Sequence, residues 1–292
     1  MFNSIILAYR DRPKSLKAFL RSLELASKHD NDFELIITDL NSNYRSTAII
    51  EKFAKKFTIK HIKIPYDGVF WKTKALNCCA LHATGDYITM FDVECILPKN
   101  FFGHIRGFFE TPGNERKRLS YRVRKLDKTT SKFFMSNTKF TERDVEKKCT
   151  SRGKSFRRFK ERAGDENMDA MKMTNADRKS AIKNERYLGN SHFTMTREQY
   201  LELGGYDERF IGYGIEDLDF NRRSLAHIGS STLSFDLKHS IFHVNNNGLS
   251  SWRNTAKRKQ NGLLYRVNEK KEVVCISRNH HWGIFKESLL KR

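Results

Sequence analysis

Two acidic stretches carry the residues that could do chemistry in this chain of 292 residues. The first, Asp92-Val93-Glu94, directly follows an apolar run that ends at Phe91. Hard divalent cations prefer oxygen ligands, and a bound cation can neutralise the negative charge that develops on a departing diphosphate. We therefore predict a cation site that uses Asp92 and Glu94, although an acidic pair with this spacing is in most proteins a solvated turn.

The second acidic stretch, Glu216-Asp217-Leu218-Asp219, begins a predicted helix and follows Gly212-Tyr213-Gly214. Acidic residues at a helix N-terminus can simply complement the helix dipole. One of these carboxylates could instead take the proton of an attacking hydroxyl group, as a general base does. The two glycines favour the catalytic interpretation, because a tight loop around an aromatic ring lets backbone and ring approach a sugar.

The elements that must position these residues alternate between strand and helix over the first hundred residues. Apolar and β-branched runs predict four strands, at Ser4–Ala8, Phe33–Thr38, Ile59–Ile64 and Tyr87–Phe91. Strands separated by helices are typical of a parallel sheet with helices on both faces, an α/β fold that binds ligands at the carboxyl ends of its strands. The sequence therefore predicts that residues 9–12, 39–42 and 92–94 share one edge of the sheet.

The remainder of the chain has a less regular pattern. From 111 to 186 charged residues dominate, which predicts an inserted and largely helical segment. Leu188–Met195 is typical of a strand, and the capping box at Thr196–Gln199 predicts a short helix after it. A helix is expected at Glu216–Ala226, followed by two short strands near 233–236 and 241–244.

Several motifs together resemble those of the β-1,4-galactosyltransferases and related inverting enzymes with the GT-A fold. In the C-terminal half, residues 189–200, 204–207 and 212–219 are similar to the family segment that contains Gly-Trp-Gly-Gly-Glu-Asp-Asp-Asp. In the N-terminal half, residues 8–12 resemble the family's Pro-Phe-Arg-Asn-Arg and residues 72–77 its Arg-Ala-Lys-Leu-Leu-Asn. The order of the motifs holds over about 1–110 and 187–248. The resemblance implies an inverting glycosyltransferase that uses a UDP-sugar with Mn²⁺ or Mg²⁺.

The resemblance also implies a role for each residue that matches a family position. Asp217 would be the catalytic base and Glu216 its neighbour that contacts a sugar. The metal would be bound by Asp92, Glu94 and His243, with His239 as the alternative histidine. The nucleotide-sugar would be bound by Ala8, Tyr9, Arg10, Arg12, Asp39, Lys74, Asp92, Gly189, Tyr213 and Gly214.

The chain departs from the family pattern around both sugars. Glu94 replaces an Asp, Tyr213 a Trp, Ile215 a Gly and Leu218 an Asp, while Ser240 stands where the family has a sulfur ligand. The reaction type is compatible with these changes, but galactose as donor sugar and N-acetylglucosamine as acceptor do not follow from the resemblance. The family's anchor and disulfides are missing as well, which argues against an enzyme of the secretory pathway.

A large positive charge lies outside these motifs. Of a net charge of +21, most comes from residues 115–186, with 23 basic and 11 acidic side chains, and residues 251–292, with 11 and 3. We predict a nucleotide-sugar-binding half at 1–110, a basic helical insertion at 111–186, a catalytic and acceptor half at 187–250 and a basic C-terminal segment at 251–292.

The basic segments suggest the acceptor. Clustered Lys and Arg bind phosphate backbones, and interleaved aromatic rings can stack on bases; the rings are Phe133, Phe134, Phe156, Phe159, Trp252 and Tyr265. The leading hypothesis is sugar transfer to a hydroxymethylated pyrimidine in DNA of a phage-like genome. The alternatives are a saccharide or lipid-linked acceptor at an anionic inner membrane, and a non-catalytic nucleic-acid-binding module on the same fold. Retention of the acidic and histidine motifs argues against the last.

The sequence also bears on the compartment. The first ten residues lack a basic leader, and no window approaches the roughly 20 apolar residues of a membrane span. We therefore expect a cytoplasmic protein, in a bacterial cell or a phage-infected host.

Overall fold

A mixed nine-stranded sheet forms the centre of the computed structural model, which describes residues 1–137, 139–152, 154–155, 192–228, 233–245, 255–279 and 281–285. Within these residues the strands are β1 (Asn3–Tyr9), β2 (Phe33–Leu40), β3 (Ile59–Ile64), β4 (Tyr87–Met90), β5 (Cys95–Ile96), β6 (Arg118–Lys125), β7 (Lys154–Ser155), β8 (Phe193–Thr196) and β9 (Leu233–His243). Their order in the sheet is β3-β2-β1-β4-β8-β6-β9-β5, and β7 pairs with β6.

Nine helices are described with the strands. They are α1 (Pro13–Ala26), α2 (Tyr44–Ala54), α3 (Lys72–Leu81), α4 (Phe101–Phe109), α5 (Lys128–Ser136), α6 (Glu142–Arg152), α7 (Arg197–Glu202), α8 (Glu216–Ile228) and α9 (Thr255–Lys270). The predicted α/β architecture, a central sheet flanked by helices, is confirmed; the sheet, expected to be mostly parallel, is mixed, with four parallel and four antiparallel pairings among the described strands.

The parallel half of the sheet creates the predicted edge. β1 pairs in parallel with both β2 and β4, and β2 pairs in parallel with β3. Every residue of β2 is buried, which explains its nearly continuous apolar sequence. Because Tyr9 is in register with Asp39, the loops that follow these strands begin side by side. The chain after β4 reaches the same edge and carries Asp92.

The helices on this half follow local sequence rules. Pro13 occupies the first turn of α1, where its fixed φ is favourable and its missing N–H is not needed. The Asn43 side chain caps α2 by accepting from the backbone N–H of Arg45. The buried face of α1, with Leu16, Phe19 and Leu23, packs into the main hydrophobic core.

Part of the predicted basic insertion belongs to the central sheet. β6 pairs antiparallel with β8 and parallel with β9. The sequence pattern concealed this strand because four of its eight residues are basic, and one of these, Arg118, is fully buried together with Leu119 and Tyr121. The segment at 111–186 is therefore not a separate helical module over its whole length, although α5 and α6 are helices as expected.

The aromatic residues expected to stack on bases are largely unavailable for that purpose. Phe134 is 1% exposed in a core cluster with Phe140, and Phe133 packs against the same cluster. Tyr265 is also buried, at 9% exposure. The other three rings, Phe156, Phe159 and Trp252, lie outside the described residues.

The second half of the chain returns to the sheet through β8. The Thr196 hydroxyl accepts from the backbone N–H of Gln199 and so caps α7, as the capping box predicted. The turn after α7 is fixed by Arg223 of α8, which is fully buried and donates to the carbonyls of Leu203 and Gly205 and to Asp219. This contact fixes the orientation of α8, whose first turn carries Glu216 and Asp217.

The predicted basic C-terminal segment contains α9, which packs on α8 and on the loop before it. Buried Asn261 donates from its amide to the carbonyls of Ile211 and Gly214, both at 3.1 Å. Buried Asn268 donates to the carboxylates of Asp207 and Asp219. In the part of the chain that the structure describes, no helix combines the length and apolar character needed to cross a membrane.

Candidate active site

A cluster of three carboxylates surrounds one lysine at the predicted edge. The ammonium group of Lys72, the first residue of α3, lies 3.2 Å from Oδ1 of Asp92, 3.3 Å from Oδ1 of Asp217 and 3.8 Å from Oε1 of Glu216. Burial alone would lower the pKa of Lys72, but the carboxylates of Asp217 and Asp92 outweigh it and hold the pKa well above its usual range. The two acidic motifs, more than a hundred residues apart in sequence, therefore meet at a single cation.

Asp92 is the ionised member of this cluster. Its Oδ2 lies 3.5 Å from Nε2 of His192, and about a third of the side chain is exposed. Burial raises the pKa of Asp92, but the charge of Lys72 outweighs burial and holds the pKa below its ordinary value. Asp92 therefore carries a negative charge at neutral pH.

The pKa values of Asp217 and Glu216 are instead raised above their ordinary values. Burial and the charge of Asp92 raise the pKa of Asp217, although Lys72 and the Tyr206 hydroxyl, which donates at 3.4 Å, oppose this. Burial and the charge of Asp217 raise the pKa of Glu216 to about 8. Oε2 of Glu216 is buried without a hydrogen-bond partner in the described structure. A carboxylate with a raised pKa suits general-base catalysis near neutral pH better than an ordinary one.

Replacing Glu216 with glutamine should remove a pH dependence of stability. Between its ordinary pKa of 4.5 and about 8, folded Glu216 keeps a proton that the unfolded chain has released. The free energy of unfolding must therefore fall as pH rises through this window, by up to about 1.4 kcal/mol per pH unit for one proton. Urea unfolding of the metal-free protein across the window measures the slope.

The Glu216→Gln variant is expected to have a flatter profile than the wild type over that range. Glu51→Gln, at an exposed position of α2, is the matched control and should keep the wild-type slope. Parallel profiles for wild type and Glu216→Gln would show that Glu216 is already ionised in the folded protein.

The three predicted metal ligands are not gathered at one point. Glu94 is buried and forms an ion pair with Arg12. His243 lies across from Glu94, because the Val244 N–H donates to the Glu94 carbonyl at 2.9 Å. Among the residues that the structure describes, no three His, Cys, Asp or Glu side chains form a group arranged to hold a metal. The alternative histidine, His239, belongs to β9, but its side chain lies outside the described part.

The residues predicted at the end of β1 mainly contact the protein itself. Tyr9 is buried, and its hydroxyl pairs with that of Ser46 at 2.8 Å and accepts from the Arg12 N–H. The Arg10 guanidinium donates to three backbone carbonyls, those of Leu40, Tyr66 and Gly68. These two side chains fix the loops at the edge of the sheet, and any contact they make with a nucleotide stays a prediction.

The remaining predicted contacts at this edge are placed as follows. Asp39 is buried at the end of β2, where Oδ1 accepts from the Ser42 N–H and Oδ2 lies 3.1 Å from Nε2 of His61. Ala8 packs between two core clusters beside it. Gly189 lies outside the described residues.

The lysine predicted near the diphosphate lies on the other side of α3. The Lys74 ammonium is bound by the Glu208 carboxylate at 2.6 Å and the His281 carbonyl at 2.9 Å, over the rings of Trp71 and Phe285. Residues two apart on a helix point about 200° apart, so only one of these lysines can face the acidic cluster. That residue is Lys72; the 3.6-residue helical period predicts that the two lysines diverge, but not which of them faces the cluster.

The glycine-rich loop borders the cluster and is strained. Gly212 and Gly214 have φ of +82° and +101°, values that only glycine adopts easily. Ile215 has φ of +80°, which is a costly conformation for a β-branched residue and is found chiefly at functional sites. Tyr213, between the glycines, is 48% exposed and available to a ligand.

This fold and site define the class of the protein. An open α/β sheet has acidic side chains and a lysine at the carboxyl ends of its parallel strands, and its antiparallel half brings a second acidic motif to them. The model of glycosyl transferase family 2 matches residues 4–164, and that of the N-terminal domain of galactosyltransferase matches residues 170–245. The first match covers more than half of the chain, and the chain therefore belongs to glycosyl transferase family 2.

Solved structures with the same fold agree with this assignment. S. aureus TarS 1–349 in complex with UDP superposes with a TM-score of 0.61 at 15% identity, over 99% of this chain and 73% of that one. A mannosyltransferase from Pyrobaculum calidifontis in complex with GDP-Man and Mn²⁺ has a TM-score of 0.57 at 12% identity, over 97% and 67%. Glucosyl-3-phosphoglycerate synthase from Mycobacterium tuberculosis, in complex with Mn²⁺, UDP and glucosyl-3-phosphoglycerate, has a TM-score of 0.53 at 12% identity, over 94% and 81%.

These similarities are remote in sequence and show the fold, which is the predicted GT-A fold. The chain spans 60% of the length of another TarS 1–349 structure and 39% of the longer S. aureus TarS structure. A comparison of the sequence with curated proteins finds no match.

Proposed function

We propose that the protein transfers a sugar from a UDP-sugar to an acceptor hydroxyl with inversion at the anomeric carbon, assisted by a divalent cation. The observation that carries this proposal is that carboxylate oxygens of Asp92 and Asp217 both lie within 3.4 Å of the Lys72 ammonium group. Family membership and the nucleotide complexes of the similar structures support the donor class.

The chemistry follows from the protonation states. Asp217, ionised above its raised pKa, accepts the proton of the acceptor hydroxyl as the oxygen attacks the anomeric carbon. The bond between that carbon and the diphosphate breaks from the opposite side, so the products are a glycoside of inverted configuration, UDP and the proton on Asp217. Lys72 lies where its charge would bind the diphosphate, because it contacts both Asp92, a predicted metal ligand, and Asp217, the proposed base.

Two of the predicted ligands have the chemistry that a cation needs, although the described residues contain no ready-made group of three. Asp92 is an ionised oxygen donor, and a neutral imidazole at His243 is an accepted nitrogen donor for Mn²⁺. When bound, the cation would supply Lewis-acid neutralisation of the leaving diphosphate.

A product assay tests the proposal. Incubation with a panel of UDP-sugars, Mn²⁺ and candidate acceptors is expected to release UDP, and NMR of the product should show an anomeric configuration opposite to that of the donor. A retained configuration would exclude Asp217 as the base of a single displacement. Absence of both hydrolysis and transfer with every donor would leave the non-catalytic binding module as the better account.

An anionic acceptor is supported by the position of α9. Asn261 attaches this helix directly to the glycine-rich loop, and the side chains of Lys257 and Arg258 lie within 3.5 Å of the positions where Cβ atoms on Gly212 and Gly214 would stand. Two basic side chains thus flank the loop that borders the catalytic carboxylates. We propose an acceptor that carries phosphate groups, and a hydroxymethylated pyrimidine in DNA as the leading case.

A lipid-linked acceptor at an anionic membrane is the second candidate, and one observation favours it. Leu263 and Val267 on α9 are 57% and 47% exposed. They share the outward face of the helix with Lys259, Arg266 and Lys270. Aliphatic and basic residues on one exposed face are typical of a helix that lies on an anionic lipid surface.

Two variants of α9 separate these acceptors. The change of Leu263 and Val267 to serine should weaken binding to phosphatidylglycerol vesicles if the helix inserts into lipid, and should leave duplex binding unaltered. Replacement of Lys259, Arg266 and Lys270 by glutamine should weaken both. Nucleoside analysis by mass of hydroxymethylated and plain DNA, after incubation with the UDP-sugar panel, identifies the first acceptor; an unchanged profile beside glycosylated lipid-linked substrate identifies the second.

A further inference from the structure

Tyr206, in the loop between α7 and α8, is a buried tyrosine whose hydroxyl reaches the proposed catalytic base. Its side chain is 1% exposed, and the hydroxyl donates to Oδ1 of Asp217 at 3.4 Å. At this depth Tyr206 is out of reach of both the donor and the acceptor. Any effect of Tyr206 on the reaction must therefore act through Asp217.

Contacts with three elements fix the position of this hydroxyl. Buried Asn77 of α3 accepts from the Tyr206 N–H at 3.0 Å and donates to the Tyr206 carbonyl at 2.8 Å. The Tyr206 ring is stacked on that of Phe220 of α8, with centroids 4.5 Å apart and an interplanar angle of 15°. Phe220 is stacked in turn on Phe193 of β8, at 5.0 Å and 16°. The phenol is therefore a preorganised hydrogen-bond donor.

The two carboxylate oxygens of Asp217 have different partners. Oδ1 accepts from Tyr206 and from the Lys72 ammonium, which lies 3.3 Å away. Among the residues that the structure describes, Oδ2 accepts from Lys72 alone, at 3.4 Å. Each carboxylate oxygen has two lone-pair sites, so both sites of Oδ1 are used and one site of Oδ2 is open. A proton can therefore reach Oδ2 without displacing either donor from Oδ1.

We propose that Tyr206 is a positioning residue that, with Lys72, holds Oδ1 of Asp217 so that Oδ2 receives the proton of the acceptor hydroxyl. The assignment rests on the proposed inverting transfer and specifies how its base is held. As the acceptor oxygen bonds to the anomeric carbon, its proton passes to Oδ2, and the bond from that carbon to the diphosphate breaks to release UDP. Tyr206 keeps its own proton, because burial holds the pKa of the phenol well above its usual range.

Tyr200 is a matched comparison for Tyr206. Both tyrosines are buried in the same hydrophobic cluster, and the Tyr200 ring lies 5.6 Å from that of Phe220. The Tyr200 hydroxyl donates to Oδ1 of Asn77 at 3.0 Å, whereas that of Tyr206 donates to the base. Tyr200→Phe therefore removes the same group from the same surroundings but leaves the contact with Asp217 in place.

The charges around Asp217 give the direction of a pH effect. Lys72 of α3 and the Tyr206 hydroxyl favour the ionised form of Asp217. Asp92, which follows β4, opposes ionisation, and Glu216 is the neighbouring carboxyl on α8. Removal of the hydroxyl takes one donor from the carboxylate, so the pKa of Asp217 should rise. Activity is present above this pKa and lost below it, so the acid limb of kcat/KM should move to higher pH.

Kinetics of the Tyr206→Phe variant test the proposal. We expect kcat to fall roughly 10- to 100-fold, since a displacement of about 1 Å at a catalytic group can cost 10²-fold. Donor affinity, measured by calorimetry, should stay that of the wild type, because the removed oxygen is buried. Tyr200→Phe should keep the wild-type kcat and pH profile, although both variants lose a buried hydrogen bond and should have a lower Tm.

Site-specific replacement of Tyr206 by 3-fluorotyrosine changes the donor without removing it. The fluorinated phenol is more acidic and donates a stronger hydrogen bond to the carboxylate. The acid limb should therefore move to lower pH, opposite to its movement in Tyr206→Phe. Because the ring and its stacking are kept, this variant tests the proposal even if Tyr206→Phe does not fold.

Carboxyl ¹³C NMR measures the pKa of Asp217 without any need for turnover, and the resonance is identified by its loss in Asp217→Asn. A higher pKa in Tyr206→Phe, together with a lower kcat, would support the proposal. Equal pKa values and an unaltered acid limb would make Tyr206 a packing residue and overturn it. If the wild type transfers no sugar to any acceptor, the proposed function fails. The NMR titration then decides separately whether Tyr206 acts on Asp217, and an unaltered pKa refutes that contact.

Discussion

Replacement of Asp217 by asparagine is expected to lower kcat roughly 10²- to 10⁴-fold, which is the usual contribution of a general base. Asparagine has the same shape but cannot accept the proton of the acceptor hydroxyl. The Lys72 ammonium and the Tyr206 hydroxyl that now contact the carboxylate can still bind the amide oxygen. The donor site should therefore survive, and calorimetry should give a donor affinity of the same order as that of the wild type.

The pH dependence of the reaction provides a second measurement. Burial and the charge of Asp92 raise the pKa of Asp217, so the acid limb of kcat/KM should lie above the range of an ordinary aspartate. Activity is present above this pKa and is lost below it, as the base becomes protonated. In the Asp217→Asn variant, the pH profile of the residual kcat/KM should lack that acid limb.

Two controls make the result specific. Glu216→Gln tests whether the neighbouring carboxyl is the base instead, since it lies in the same helical turn. Glu51→Gln reports any effect of removing an exposed acid remote in sequence from both motifs. If Asp217→Asn keeps kcat within a few-fold of the wild type while Glu216→Gln loses it, Glu216 is the base.

The sequence predicted the edge of the sheet well because parallel strands impose it. Once β1, β2 and β4 run in parallel, the residues after Tyr9, Leu40 and Phe91 must emerge together. The acidic stretch at the start of α8 was equally visible, because a run of acids after two glycines is a local signal. Neither inference required knowledge of tertiary packing.

Other parts of the fold depend on contacts that no local pattern encodes. β6 was hidden by its basic residues, of which Arg118 is fully buried, and the strand is evident only from its pairing with β8 and β9. The attachment of α9 to the glycine-rich loop includes two hydrogen bonds from the amide of Asn261, which has no sequence signature. The contact between His192 and Asp92, at 3.5 Å, likewise has no sequence motif, because it joins residues 100 positions apart.

The two predicted metal ligands of the first acidic motif, Asp92 and Glu94, have different partners in the structure. The spacing of Asp92 and Glu94 is that of an acidic metal-binding pair, but residues 93 and 94 form a turn, so the strand alternation that would place both side chains on one side does not apply. Glu94 consequently meets Arg12, and only Asp92 reaches the cluster around Lys72. The charge of Arg12, which was expected to contact the nucleotide, is neutralised in the same contact.

Replacement of Lys72 by methionine is the second change with a large expected effect. The variant leaves three buried or half-buried carboxylates without their shared cation, and breaking a buried ion pair by removing one partner typically costs about 3–5 kcal/mol. Donor affinity should fall as well, by roughly 10- to 150-fold, if one charge-assisted contact to the diphosphate of about 1.5–3 kcal/mol is lost. Chemical unfolding and donor calorimetry measure the two effects separately.

The loss of stability should depend on pH in a definite direction. Without Lys72 the pKa values of Asp217 and Glu216 rise further, since its charge now lowers both. At low pH the carboxyls become neutral and need no cation, so the difference in unfolding free energy between wild type and variant should shrink as pH falls. A difference that is constant with pH would mean that Lys72 contributes packing alone.

Lys74→Met is the matched comparison because it removes the same group from the same helix. The Lys74→Met variant also loses an ion pair, with Glu208, and should therefore be less stable than the wild type. Its side chain points away from the acidic cluster, so donor affinity should fall less than in Lys72→Met. The reverse order would mean that Lys74 contacts the diphosphate, as the sequence motif predicted, and that helix α3 or its neighbours rearrange when the donor binds. The two variants thus show whether the diphosphate is contacted by Lys74, as the motif predicts, or by Lys72, as the orientation of helix α3 indicates.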